Sequence, residues 1–399
     1  MADYSTSLLI SDAKIKMYVS YVVYICLLLH PSLAQTWMQA GYWSSGSEFP
    51  ISDIKSALFT HLICAFANLN SSSYQLPISS DGELNFFVFT NTVKQKNPSI
   101  TTLLSVGGES ANRSIIVSMV SNSYHRKSCI DSSIKTARLY GFQGLDFCWV
   151  SANTNSDMSN MALLFEEWRA AIDSEARNSS QSELILTATV PYSRYSQSLT
   201  YPVDSLKRNL NWLHILVSSW INGGLPATKL VLGLPFYGYS WTLVDPKDNT
   251  IGAPASGPAK SEDGVWLFKD IRNYIQRNGA NSVYNGTYVV NYCTVGKTWN
   301  GFDDVEVVKI KVSYAKEKKV LGYFVWQVPF DDNWMLSQAA SASANADNPQ
   351  KKGRLLLINI LIPIVVLLLL VGALAYYLLR VKRKREGKTF ELELISIIA

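Results

Sequence analysis

Few side chains in this 399-residue chain stand where they could move a proton or attack carbon. Asp146 lies inside an apolar run, Gly144–Trp149, and Glu109 closes Gly107-Gly108-Glu109 after another, Thr101–Gly107. A carboxyl group held at the end of a strand can act as a general acid or orient a substrate, whereas a glutamate at a loop end is usually solvated. His61 and His214 sit in apolar contexts and read as core residues rather than bases. Of the five cysteines, Cys26 belongs to an N-terminal apolar stretch, which leaves Cys64, Cys129, Cys148 and Cys293. There is no CxxC and no histidine at ligand spacing, so no metal centre is predicted, and nothing calls for a cofactor. Cys64 and Cys148 read as buried thiols.

Positioning any of these groups requires a scaffold, and the hydropathy pattern supplies one. Eight short apolar runs are candidate strands: Gln39–Trp43, His61–Ala67, Thr101–Gly107, Gly144–Trp149, Leu184–Pro191, Trp212–Val217, Lys229–Pro235 and Val320–Val328. Amphipathic stretches such as Ser128–Leu139 and Met161–Arg177 separate several of them, the order expected of parallel strands with helical crossovers. An α/β fold, a TIM (β/α)8 barrel, is therefore predicted over 35–338, with a small α+β insertion at about 240–311. At 48% hydrophobic and 17% charged residues the chain is too apolar to be disordered. Nine Lys/Arg against three Glu lie from Lys351 onward, so the net charge of +5 belongs to the tail and the body is near neutral. No nucleic-acid-binding face is expected on it.

Two apolar segments set the topology. Lys14 and Lys16 precede the run Met17–Leu29, and Ser32-Leu33-Ala34 offers small residues for cleavage, so residues 1–34 read as a signal peptide. Leu355–Leu379 contains no charge and is long enough to cross a bilayer. The cluster Arg380, Lys382, Arg383, Lys384, Arg385 and Lys388 outnumbers Lys351, Lys352 and Arg354, which places 380–399 in the cytoplasm and the body outside. The alanine- and serine-rich residues from Ala339, through 354, read as a linker. The expected location is the plasma membrane, with a single span. Asn70, Asn112, Asn178 and Asn285 head Asn-x-Ser/Thr sequons and become candidate glycosylation sites in that compartment.

The strand sequences carry a resemblance. Ala40-Gly41-Tyr42-Trp43, Thr60-His61-Leu62 to Ala65-Phe66-Ala67, Leu104-Ser105-Val106-Gly107-Gly108, Tyr140 to Trp149, Gly233-Leu234-Pro235-Phe236-Tyr237-Gly238 and Gly322-Tyr323-Phe324-Val325-Trp326 resemble, in order, the strand motifs of glycoside hydrolase family 18, and among them plant class V chitinases. The resemblance implies a cleft for N-acetylglucosamine polymers at the carboxyl ends of the strands. It also implies contacts to sugar from Trp326, Tyr42 and Phe66, because apolar sugar faces stack on aromatic rings. Asp146 is a further ligand-contact candidate, and Trp299, Asp303 and Asp304 would lie on the rim.

The departures from the family pattern are as informative. The family's fourth strand reads Asp-Gly-x-Asp-x-Asp-x-Glu, whose last Glu protonates the glycosidic oxygen while the Asp before it orients the acetamido group. Those acidic positions are here Gln143, Asp146, Cys148 and Val150. A valine holds no proton, so the general-acid contribution, about 10² to 10⁴ in rate, is expected to be absent. The Met-x-Tyr-Asp segment and loop that follow the family's sixth strand are also missing, since Asn209–Val217 runs directly into Ser218–Pro226. The expectation is a membrane-anchored chitinase-like protein that binds chitin or N-acetylglucosamine oligomers without cutting them. It resembles the ectodomain of receptor-like kinases, and the tail Gly387–Leu394 resembles the approach to such a kinase, so the expectation is either a truncated receptor or a chain that signals through a co-receptor kinase as partner. The alternatives are an interaction protein that no longer binds sugar, and an active chitinase that uses another acid such as Glu109.

Overall fold

The computed structural model describes residues 37–76, 80–108, 111–190, 195–196, 199–215 and 218–346, with isolated helical positions between 364 and 382. All eight candidate runs form strands: β1 (Met38–Ser44), β2 (His61–Ala67), β3 (Thr101–Gly107), β4 (Gly144–Cys148), β5 (Ile185–Thr189), β6 (Trp212–Ile215), β7 (Leu230–Pro235) and β8 (Gly322–Trp326). They pair in parallel around a closed ring, in which β1 meets β8 with Met38 opposite Gly322. Closure holds beside β6 despite the missing loop, through three residue pairs to β5 and three to β7.

Alternation of side chains along each strand sorts the core into two layers. Met38, Ala40, Tyr42, Ile63, Ala65, Leu103, Trp212, Val231 and Phe324 fill the barrel. Their neighbours Trp43, Leu62, Cys64, Leu145, Phe147, Leu213, Leu232 and Val325 point outward against the helices. The longest of these helices, Asn155–Ser179, starts with a capping box in which Thr154 and Asp157 satisfy each other's exposed backbone amides.

Between β7 and β8 the chain builds an antiparallel sheet of six strands. Its central strand Tyr237–Leu243 pairs with Ala255–Pro258, Val265–Leu267 and Thr298–Phe302, and the last of these continues through Val290–Val295 to Val283–Asn285. The helix Phe268–Asn278 accompanies it, with Phe268 and Ile271 buried.

The stretch expected to open a linker at Ala339 instead continues a helix, Met335–Asn345. Alanine favours helix, and Leu336, Ala339, Ala340 and Ala344 are buried, so this segment belongs to the barrel unit, which runs to Ala346. Among the described residues no helix is long and apolar enough to cross a membrane. The segment 1–34, and all but isolated positions of 355–399, lie outside the described residues.

Candidate functional site

The carboxyl ends of the strands surround a pocket of about 300 Å³. Phe66 of β2, Cys148 of β4, Thr189 of β5, Pro235 of β7 and Trp326 of β8 contribute to its wall, together with Val150 and Val190 just past β4 and β5. Tyr237 enters from the first strand of the inserted sheet, and Lys311 enters from the helix Val305–Glu317. Among the described residues no carboxylate lines the pocket, and Lys311 is its one charged side chain.

The aromatic wall is built by close approach. The Trp326 ring lies 5.6 Å from Phe66 and 5.1 Å from Tyr42, centroid to centroid. Phe66 can sit there because residue 108 is glycine: at φ +105° a Cβ at this position would come within 2.5 Å of the Phe66 ring.

Beneath the pocket lies a buried polar chain. Trp212 donates its indole N–H to His214 Nε2 at 2.9 Å, so the imidazole proton sits on Nδ1, which is 2.5 Å from the Tyr42 hydroxyl. Tyr42 in turn donates to Asp146 Oδ2 at 3.0 Å. Asp146 also accepts from Ser105 at 2.6 Å and from Thr187 at 2.9 Å. Burial above all, then the adjacent Asp146, keeps the Tyr42 hydroxyl protonated, well above its usual range.

Burial pulls the His214 pKa down to about 4 against the opposing pull of Asp146, and burial followed by nearby His214 brings His61 to about 4. An unfolded imidazole takes up its proton near 6.5, so both groups favour the native state fully above about pH 6.5. As pH falls from there toward 4, each costs up to about 1.4 kcal/mol per pH unit. The urea midpoint is therefore expected to be flat above pH 7 and clearly lower at pH 5, and a midpoint unchanged between pH 7 and pH 5 would refute the neutral assignment.

The structure separates the predicted ligand residues. Phe66 and Trp326 line the pocket, whereas Tyr42 and Asp146 are fully buried below it and face only protein. Of the remaining motif positions, Cys148 and Val150 reach the pocket. Gln143 sits at the opposite end of β4, where its side-chain oxygen accepts from the Thr102 amide and hydroxyl at 2.9 and 2.8 Å. His61 is bound to Thr60 at 2.8 Å and packs edge-on against Trp212.

The rim candidates divide as well. Asp303 is buried and pairs with Lys311 at 2.5 Å, so it fixes a pocket residue without touching the pocket; burial raises its pKa in spite of that lysine. The Asp304 carboxylate caps the helix Val305–Glu317 by accepting from the amides of Glu306 and Val307. Trp299 lies on the inserted sheet, stacked on Tyr292. Glu109 falls outside the described residues.

Cys64, Cys129, Cys148 and Cys293 are all buried thiols with no disulfide between them, and burial pushes Cys129 up to about 12. Asn70, Asn112 and Asn178 are exposed and Asn285 is half-buried in a hairpin. Sequence reading did not anticipate Thr189, Val190, Tyr237 or Lys311. Strand alternation carries a signal for Thr189, but Lys311 lies on a helix nearly eighty residues beyond β7 and has none.

The sequence pattern of Glycosyl hydrolases family 18 matches residues 38–218 and 214–331, which spans all eight barrel strands. The chain belongs to this family. Within family 18 it is similar to a "Class V chitinase" of Arabidopsis thaliana, 42% identical over 368 residues, covering 84% of this chain and 97% of the relative. Among solved structures it is similar to a class V chitinase from Nicotiana tobaccum, with TM-score 0.75 and 41% identity over 77% of this chain and 98% of that one. A mutant of the tobacco enzyme is known in complex with NAG4. Human YKL-39, with TM-score 0.72 and 26% identity over 77% of this chain and 99% of that one, is described as a pseudo-chitinase with retained chitooligosaccharide binding properties. The family 18 barrel and plant class V chitinase homology are thus established for this chain.

Proposed function

We propose that this family 18 protein binds chitooligosaccharides at the mouth of its barrel and does not hydrolyse them. The observation that carries the reading is the composition of the pocket wall, which keeps Phe66, Tyr237 and Trp326 but presents Cys148 and Val150 where the family pattern has its orienting and proton-donating acids. Trp326, Phe66 and Tyr237 can stack on sugar faces and Lys311 can donate to a carbonyl oxygen, so binding does not need the missing carboxylates. Tyr42 and Asp146 act from below by holding His214 and the pocket floor in place. Human YKL-39 offers a precedent for the combination of lost turnover and retained binding.

The same proposal places the barrel outside the plasma membrane, behind a signal peptide at 1–34 and held by a span at 355–379. Residues 380–399 would form a basic cytoplasmic tail, and signalling would depend on a partner kinase. The apolar run and the basic cluster after it support this arrangement. The sequons at Asn70, Asn112, Asn178 and Asn285 would then be glycosylated.

The test uses the full chain in detergent, titrated calorimetrically with N-acetylglucosamine trimers and assayed for chitinase activity in the same preparation. Binding with a defined stoichiometry and no turnover is expected. Turnover above background would overturn the loss of catalysis, and folded protein that binds nothing would favour an interaction protein without a sugar site.

A further inference from the structure

The strand Val283–Asn285 ends the inserted sheet on one side, and its last residue opens the sequon Asn285-Gly286-Thr287. Partners in an antiparallel ladder share a face; Val283 pairs with Tyr292 and Asn285 with Val290. Tyr292 thus stands diagonally across from Asn285, about 7–8 Å away. From the side remote from Asn285, Trp299 stacks on the Tyr292 ring at 5.7 Å and 18°. Its indole N–H is donated to the Asn249 carbonyl at 3.2 Å, which anchors the pair. This face of the sheet is open, with Val283 46% exposed and Val290 and Tyr292 half-buried, whereas Asn291, Cys293 and Asn300 are buried on the other. The Asn285 side chain is itself oriented. Its Oδ1 accepts from the amides of Thr287 and Tyr288 at 3.0 and 3.1 Å, and among the described residues its Nδ2 donates no hydrogen bond.

We infer that a glycan on Asn285 folds back over Val283 and the open side of the Tyr292 ring, and so covers this edge of the inserted sheet. This rests on the extracellular placement proposed above, since a sequon is modified only in the secretory pathway. The occupant is the pair of β-linked N-acetylglucosamines that begins the chain's own N-linked glycan. Attachment at Nδ2 holds the first ring within reach of Tyr292, and the two amides on Oδ1 restrict the linkage before any contact forms, which lowers the ordering cost. The apolar face of such a sugar stacks on an aromatic ring, and Trp299 leaves one side of Tyr292 for it. An outermost strand also presents unpaired backbone groups beside the exposed Val283, a surface that bulk at Asn285 would shield from pairing with other chains. The setting at Asn178 is different: it lies beside a groove between two helices with Lys135, Arg138 and Glu175.

The test uses the full chain produced in plant cells and held in detergent, digested with an endoglycosidase that cuts between the first two N-acetylglucosamines. Peptide mass spectrometry then gives the cleavage rate at each occupied sequon, in native and in denatured protein. Native cleavage at Asn285 is expected to be about fivefold slower than after denaturation, the scale of one aromatic contact. Tyr292→Ala should abolish that protection and Tyr292→Phe keep it, with unchanged circular dichroism as the check on folding. Tyr124→Ala, at an exposed aromatic on the remote helix Ser123–Leu139, should leave it as in the parent. The parent comparison needs no variant, so a Tyr292→Ala chain that fails to fold does not protect the inference. Equal native and denatured rates at Asn285, or protection that survives Tyr292→Ala, overturns it. An unmodified Asn285 beside a modified Asn70 or Asn112 overturns it too and leaves the extracellular placement standing, whereas no glycan at any sequon overturns both.

Discussion

Replacing Trp326 by alanine is expected to weaken trimer binding by about a hundredfold or more, with the barrel still folded. Trp326 stands at the end of β8, packed against Phe66 and Tyr42 on one side and open to the pocket on the other, the setting in which a single aromatic dominates a binding site. Its removal would cost the stacking surface and free the Phe66 ring to turn, so a loss of about 3 kcal/mol in binding is the natural scale. Calorimetry on Trp326→Ala and on Trp326→Phe checks this. The phenylalanine variant should recover a substantial part of the affinity, and an alanine variant that binds as tightly as the parent would remove the aromatic wall from the account.

The largest stability effect is expected at Asp146. Alanine there would leave the hydroxyls of Tyr42, Ser105 and Thr187 without their shared acceptor inside a fully buried barrel, where each unsatisfied group costs about 1–3 kcal/mol. A drop of at least about 3 kcal/mol in unfolding free energy follows, measurable as a shift of the urea midpoint. Asp146→Asn should be milder, since it keeps one acceptor oxygen and the hydroxyls can rotate toward it. If Asp146→Ala were as stable as the parent, the carboxyl group would not be the anchor of this network. Asp146 is thus read as a residue whose role persists without catalysis: it organises the barrel interior whether or not a reaction occurs above it.

The sequence made the barrel legible because β strands buried on both faces leave continuous apolar runs, and the eight runs became the eight strands with ends shifted by a few residues. Phe66 and Trp326 were legible because motif and alternation agree on their direction. Depth was not legible. Alternation says that Tyr42 and Asp146 point inward, but whether an inward side chain reaches the mouth or is roofed over depends on its neighbours, here Trp326 and Phe324, whose rings cover Tyr42. Lys311 escaped for a different reason, since its place in the pocket is set by the packing of the helix Val305–Glu317 and by its ion pair with Asp303. The composition of 339–345 suggested a tether, but alanine and serine serve equally in a helix that must lie close to its support.

The brevity of β6 matters beyond the shape of the site. Among the described residues, neighbouring strands elsewhere in the ring share four or five paired residues, and beside β6 they share three on each side. Local excursions of a closed ring concentrate where the fewest cross-strand bonds must break, which among the described residues is the arc on either side of β6. Thr189 and Val190 lie on one side of that arc, and Pro235 and Tyr237 on the other. A sugar resting on both flanks would act as a removable staple across the weak arc, so occupancy of the site and endurance of the scaffold become a single linked equilibrium.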